Sequence, residues 1–188
     1  MKIQTGHIHL FDIYKFVAEH PKLVSGRGGD TTEYTRLVSK LVESIPAQAG
    51  WYNWGRINDV GVWETVYLGK SGNRKTSSLK ARIKEELLDE RGAFWATVYG
   101  TEPTERQNRK AYGGRYPGTR SYRKRNIHFI VWLSADEISE EDIKAEERTL
   151  IMLYRPAVNI QRVSYPPHTA NTQSILEAFD SEIGKITR

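Results

Sequence analysis

Gly50-Trp51-Tyr52-Asn53-Trp54-Gly55-Arg56-Ile57, then Asn58-Asp59-Val60-Gly61, then Val62-Trp63-Glu64-Thr65-Val66-Tyr67-Leu68-Gly69-Lys70-Ser71, is the stretch on which the fold turns. Its two flanks, Trp51 to Ile57 and Val62 to Leu68, are aromatic and β-branched, a composition that suits a pleated, half-buried surface. The residues between them, Asn58 to Gly61, are turn formers, so the whole reads as a β-hairpin. Ser71 to Ser77 is a Gly/Asn/Ser-rich loop. Ser78 caps a helix that carries Leu79, Ile83 and Leu87 on one face. Phe94 to Tyr99 reads equally as a strand or as a short continuation. Ile127 to Leu133 is an apolar run of the kind that is buried on both faces of a sheet. Glu137 to Tyr154 is a helix stopped by Pro156. The order strand, strand, helix, insertion, strand, helix predicts an α/β (α+β) domain over residues 50–160, a small three-stranded antiparallel sheet flanked by helices.

Both ends read as helical additions. In residues 1–49, Ile8, Phe11, Ile13, Tyr14, Phe16 and Val17 suggest a short helix before Pro21. Ser25 to Asp30 is a Gly-rich turn, and Thr32 starts a second helix carrying Leu37, Val38, Leu41 and Val42. In residues 161–188, the prolines of Ser164-Tyr165-Pro166-Pro167-His168 stiffen a connector, and Thr172 to Ile186 makes an amphipathic helix.

With 188 residues, 38% hydrophobic and 27% charged, the chain has the composition of an ordinary globular protein. No apolar run reaches the ~20 residues of a membrane-spanning helix, so no membrane partner is expected. The first residues form no signal-peptide pattern and the chain has no cysteine, which together predict a cytoplasmic protein without disulfides or a thiolate zinc site. The net charge of +5 is concentrated. Arg106, Arg109, Lys110, Arg115, Arg120, Arg123, Lys124 and Arg125 lie in an insertion, 105–126, with no Asp or Glu among them from 106 to 125. Interleaved with Tyr112, Tyr116, Tyr122 and glycines, these cations suit an arm that grips nucleic acid through phosphates and base edges. A solvated loop is the plain alternative.

Gly50-Trp51-Tyr52 and Tyr67-Leu68-Gly69, followed by Arg82 on the next helix and by Glu147 to Asn159 with its apolar pair, proline and asparagine, resemble the ordered motifs of the GIY-YIG nucleases. The resemblance runs from about Gly50 to Asn159. Departures are Trp51 in place of a smaller residue, a longer hairpin loop, additional residues at 72–78, and Glu86 where many members carry a histidine. The proton-transfer role of that histidine is therefore not carried over to position 86.

Taken alone, the residues leave alternatives open. Glu147 lies four residues from both Ile143 and Ile151, so the helix places a carboxylate in an apolar stripe. Burying that charge costs several kcal/mol, on the order of the effective penalty per ion, unless a cation neutralises it. A salt bridge to some Arg or Lys is the commoner answer, and Glu146 flanks the same stripe. Arg82 is spaced for a helical pair with Glu86, worth only ~0.3–0.5 kcal/mol. Tyr52 and Tyr67 are spaced for cross-strand packing. His7-Ile8-His9 has the spacing of a metal pair but lacks a third ligand, and Gly26-Arg27-Gly28-Gly29 is not a phosphate loop.

The resemblance implies more. Glu147 would be the one protein ligand of Mg²⁺ or Mn²⁺, and Arg82 would grip the scissile phosphate. Tyr52 and Tyr67 would orient or deprotonate the attacking water. A free phenol ionises only near pH ~10, so base catalysis would draw on the charge of Lys70, Arg82 and the metal. Lys70 would supply that charge or touch phosphate, and Asn159 would tie its turn to the backbone near the site. The expected activity is a metal-dependent endonuclease on double-stranded DNA, specifically a type II restriction enzyme. The competing expectations are a non-catalytic DNA-binding protein on the same scaffold and a repair or homing nuclease. Cutting both strands implies a homodimer or higher oligomer.

Overall fold

The computed structural model describes residues 1–20, 32–72, 77–88, 127–156, 159 and 171–188. The turn at 25–30, the segment 94–99, the basic insertion 105–126 and the connector at 164–168 lie outside these. The chain divides into two compact units. One comprises 1–9, 44–82 and 127–188, the other 10–43 and 83–126.

The first unit is built on a sheet. Its strands are β1 (Ile3–His9), β2 (Ala49–Ile57), β3 (Trp63–Ser71) and β4 (Phe129–Ala135), all antiparallel and in the order β1-β4-β2-β3. The expectation of three strands is corrected to four. Residues 3–9 read as part of a helical extension but run instead as a strand against β4, from Ile3 opposite Ala135 to His9 opposite Phe129. The reason lies in β4, whose residues 130 to 135 are all buried. A strand apolar on both faces belongs at the centre of a sheet and takes a neighbour on each side. The hairpin supplies one neighbour and β1 the other.

The β2–β3 turn is tight. Asn58 Oδ1 accepts from the N–H groups of Val60 and Val62, and Gly61 takes φ +79°, the left-handed region that glycine enters without strain. A register shift between Trp54 and Gly55 leaves Val66 as an extra residue on β3, beside Tyr67.

One face of the sheet holds the core. Ala49, Trp51, Leu68, Val131, Leu133 and Ala135 pack against helices of the same unit, which supply Ile143, Leu150, Ile151, Ile175, Phe179 and Ile183. Those helices are α4 (Glu140–Tyr154) and α5 (Thr172–Ile186), which follow α1 (Phe11–Glu19), α2 (Thr32–Leu41) and α3 (Leu79–Leu87) in the chain. The Ser139 hydroxyl caps α4 by accepting from the Asp142 N–H at 3.0 Å. The Trp51 indole N–H donates to the Ile143 carbonyl at 3.1 Å and pins α4 to β2.

The opposite face carries a row of residues in register across all four strands: Gly6, Trp132, Tyr52, Gly69. Each aromatic lies over the glycine beside it. A Cβ on Gly6 would sit 2.5 Å from Trp132 Cζ2, and one on Gly69 2.5 Å from Tyr52 Cζ. Glycine on the two edge strands is what lets these rings lie flat across the sheet.

In the second unit, Leu10, Ile13, Tyr34, Val38 and Leu87 are buried. The Phe16 and Tyr34 rings lie 5.6 Å apart, and the Tyr34 hydroxyl donates to the Leu87 carbonyl. Helix α3 starts in the first unit, with Arg82, and continues in the second.

Candidate active site

Tyr52 lies opposite Gly69, and Tyr67 lies opposite Trp54. Directly opposed residues share a face, and so do residues two apart on one strand, so the two tyrosines stand together. Their ring centroids are 6.0 Å apart, and Trp54 meets the Tyr67 ring edge-on at 6.5 Å. Tyr52 is almost wholly buried, whereas Tyr67 is partly exposed. The Nε–H of Arg82, at the end of the first turn of α3, donates to the Tyr52 hydroxyl at 3.3 Å. The N-terminus of α3 is itself fixed by the Leu79 N–H donating to the Gln48 carbonyl at 2.8 Å.

Lys70 lies opposite Trp51 and belongs by strand alternation to the other face, the one that α4 covers. Glu147 projects from α4 in the same region. Burial pushes its carboxyl above the ordinary value of 4.5, while Lys70, then Arg148, then Arg82 pull it back. No hydrogen bond or ion pair joins this carboxylate to any group among the described residues. Arg82 therefore connects the two groups of residues. It touches Tyr52 on one side, and its charge reaches Glu147 on the other.

The helix places its two adjacent acids differently from the sequence periodicity. Glu146, expected only to flank the apolar stripe, is the fully buried one, and both its oxygens accept from the Thr172 hydroxyl, at 3.0 and 2.9 Å. Glu147 is partly exposed. The wheel read from Ile143 and Ile151 did not include α5, whose first turn covers the Glu146 side of α4.

Asn159 is engaged with backbone. Its Oδ1 accepts from the Leu68 N–H at 2.8 Å and its Nδ2 donates to the Leu68 carbonyl at 2.7 Å. This pair of hydrogen bonds holds the outer edge of β3 midway between Tyr67 and Gly69. Sequence reasoning did not single out Gly69 for its contact with Tyr52, although its place in Tyr67-Leu68-Gly69 was the available signal. Trp132 was missed as well, because a single large residue in an apolar run carries no sign of which ring lies beside it.

The structure thus brings Tyr52, Tyr67 and Arg82 into one contact group, sets Glu147 in the field of that arginine and of Lys70, and ties Asn159 to the backbone of Leu68. Arg106, Arg109, Lys110, Arg115, Arg120, Arg123, Lys124 and Arg125 all fall outside the described residues. Among the described residues no group of three or more His, Cys, Asp or Glu is arranged to hold a metal ion, and no helix is long and apolar enough to cross a membrane. Compared with protein-family models, curated proteins and solved structures, the chain matches none.

Proposed function

We propose that this chain is a divalent-metal-dependent endonuclease of the GIY-YIG type that hydrolyses phosphodiester bonds in double-stranded DNA, in its specific form a type II restriction enzyme. The observation that carries the reading is the state of Glu147. It is a carboxylate held where burial disfavours its charge, without an ion pair among the described residues, in the field of Lys70 and Arg82. A structural salt bridge to a cation among the described residues would instead have closed on that one partner.

A single carboxylate of this kind suits Mg²⁺ or Mn²⁺. Magnesium is bound through one or two carboxylates, retains several of its waters, and needs no cage of protein ligands. When bound, such an ion supplies charge to a phosphate oxygen and to a developing oxyanion.

The chain's own residues have distinct tasks in this reading. Arg82, already donating to the Tyr52 hydroxyl, offers a planar array of donors that offsets the charge gathering on the pentacovalent phosphorus. Tyr52 and Tyr67 hold the attacking water, whose oxygen bonds to phosphorus as the ester P–O bond breaks. Its proton passes to one of the two tyrosines in its phenolate form, which the positive charge of Lys70 and Arg82 favours, and the departing alkoxide oxygen takes a proton from solvent water to end as a hydroxyl. Lys70 adds positive charge next to Glu147. Asn159 keeps Tyr67 and Lys70 in position by holding Leu68. The cations of 105–126 grip the DNA backbone.

The test is incubation of the purified chain with a long plasmid, with and without Mg²⁺, followed by sequencing of the ends. Discrete fragments support the restriction reading, and scattered nicks point to a repair-type or structure-directed nuclease. Binding without cleavage supports the non-catalytic scaffold. Glu147→Ala is expected to abolish cleavage while DNA affinity persists, and joint loss of folding and binding would refute the metal-ligand role.

A further inference from the structure

The sheet has two edges, β1 and β3, and they are finished in different ways. An exposed edge offers unpaired N–H and C=O groups to any other strand, and proteins usually blunt such edges with lysine, proline, bulges or a covering segment. The β3 edge is treated in this way. Asn159 occupies both backbone groups of Leu68, Val66 makes a bulge, and Lys70 stands near the strand's end.

Among the described residues the β1 edge has none of these devices. Ile3–His9 runs seven residues in unbroken register with β4, and holds no Lys, Arg, Asp, Glu or Pro. Which groups face outward follows from one bond. The Asp136 N–H donates to the Lys2 carbonyl at 3.2 Å, which makes Lys2 and Asp136 a hydrogen-bonded pair. By alternation, Gln4, Gly6 and Ile8 then bond inward to β4, while the backbone groups of Ile3, Thr5 and His7 point away from it. Those outward groups have no partner among the described residues. The strand is nevertheless held firmly. Buried Glu182 of α5 accepts from the Thr5 hydroxyl at 3.0 Å and pairs with His7 Nδ1 at 2.7 Å and Lys185 Nζ at 2.7 Å.

We propose that this edge pairs with the same edge of a second copy of the chain, antiparallel about a two-fold axis at Thr5, so that two four-stranded sheets join into one. The outward groups are self-complementary about that residue. Ile3 of each copy faces His7 of the other, and Thr5 faces Thr5. Three hydrogen-bonded pairs give roughly six new backbone bonds. Opposed threonines are a favourable cross-strand pair, and a strand free of Lys, Arg, Asp and Glu brings no like-charge repulsion to the axis. A second copy is preferred to an unrelated strand because a two-fold contact uses one patch twice and closes on itself. The proposal is independent of the nuclease reading.

The absence of cysteine gives a clean test. In a hydrogen-bonded antiparallel pair the opposed Cα atoms are about 5.5 Å apart, within the range a disulfide spans. Thr5→Cys in the full chain, under mild oxidation, is expected to form a covalent dimer at least roughly tenfold faster than Val60→Cys, because pairing holds the two thiols at high effective concentration. Val60 is 80% exposed on the hairpin tip and serves as the collision control. Sedimentation of the unaltered chain is expected to show a dimer. Thr5→Pro removes the outward N–H, along with the hydroxyl bond to Glu182, and is expected to give a folded monomer. A chain that stays monomeric at all concentrations, a Thr5→Cys rate no higher than the control, or a Thr5→Pro protein that remains dimeric overturns the proposal. If Thr5→Pro fails to fold by circular dichroism, the Thr5→Cys rate decides alone.

Discussion

The Tyr52 ring lies across the Cα of Gly69, so that a Cβ there would meet both its Cζ and its Oη at 2.5 Å. The same hydroxyl takes the Arg82 Nε–H, and a methyl group at position 69 therefore acts directly on the site. Gly69→Ala is expected to destabilise the chain by about 1–3 kcal/mol, the cost of overpacking a closed site. Cleavage is expected to fall with it, because the phenol is pushed from the arginine. Thermal unfolding and initial cleavage rates measure the two effects; an unchanged Tm would show that the ring swings aside freely.

The Glu147 carboxyl is disfavoured in its charged form, chiefly by burial, with Lys70, Arg148 and Arg82 only partly offsetting this. A raised folded-state value means that the penalty is present at pH above it and disappears as the carboxyl protonates on acidification. Glu147→Gln is therefore expected to raise Tm at neutral pH, on the order of 1–3 °C for a chain of this length, while abolishing cleavage. The gap in Tm between variant and parent is expected to close as pH falls. A lower Tm in the variant would mean that the carboxylate is a structural partner after all.

Arg82→Lys keeps the charge but loses the planar fork and the Nε donor. Cleavage is expected to drop at least roughly a hundredfold, as when one donor to a transition-state oxyanion is removed. The far-ultraviolet dichroism is expected to stay unchanged. Near-normal turnover would assign the residue to packing.

Asn159→Ala leaves the Leu68 N–H and C=O without their amide partner. Loss of two hydrogen bonds is expected to cost about 1–3 kcal/mol in total, and to speed hydrogen exchange at Leu68 before more distant amides of β3. Uniform exchange across the strand would count against a local clamp.

His128 is held below its ordinary value of 6.5 by burial, then by the charges of His9 and Arg56. The unfolded chain therefore binds a proton at this position first as pH drops. The stability contribution is complete above about pH 6.5 and is lost on acidification toward the lower folded value. His128→Gln is expected to flatten the slope of Tm against pH below that point, and an equal slope in both proteins would exclude this histidine as a source.

Much of the fold was legible because it is local. The hairpin, with apolar flanks and an Asn/Asp/Gly turn, declared itself, as did the buried run of β4 and the helices begun at Thr32, Leu79 and Thr172. Periodicity and turn chemistry act within a few residues, and the linear order of the chain carries them unchanged.

Tertiary structure decided what depends on distant partners. Ile3–His9 is too short and mixed to state its own conformation, and it became a strand because β4, more than a hundred residues later, has two buried faces to cover. The choice between Glu146 and Glu147 rested on where α5 packs, since Thr172 takes the first acid and leaves the second outside any ion pair among the described residues. Spacing could nominate Tyr52, Tyr67, Lys70, Arg82, Glu147 and Asn159. Only packing set two phenols on one face and Lys70 on the other, and brought Arg82 against the Tyr52 hydroxyl, because face and neighbour are properties of the assembled sheet.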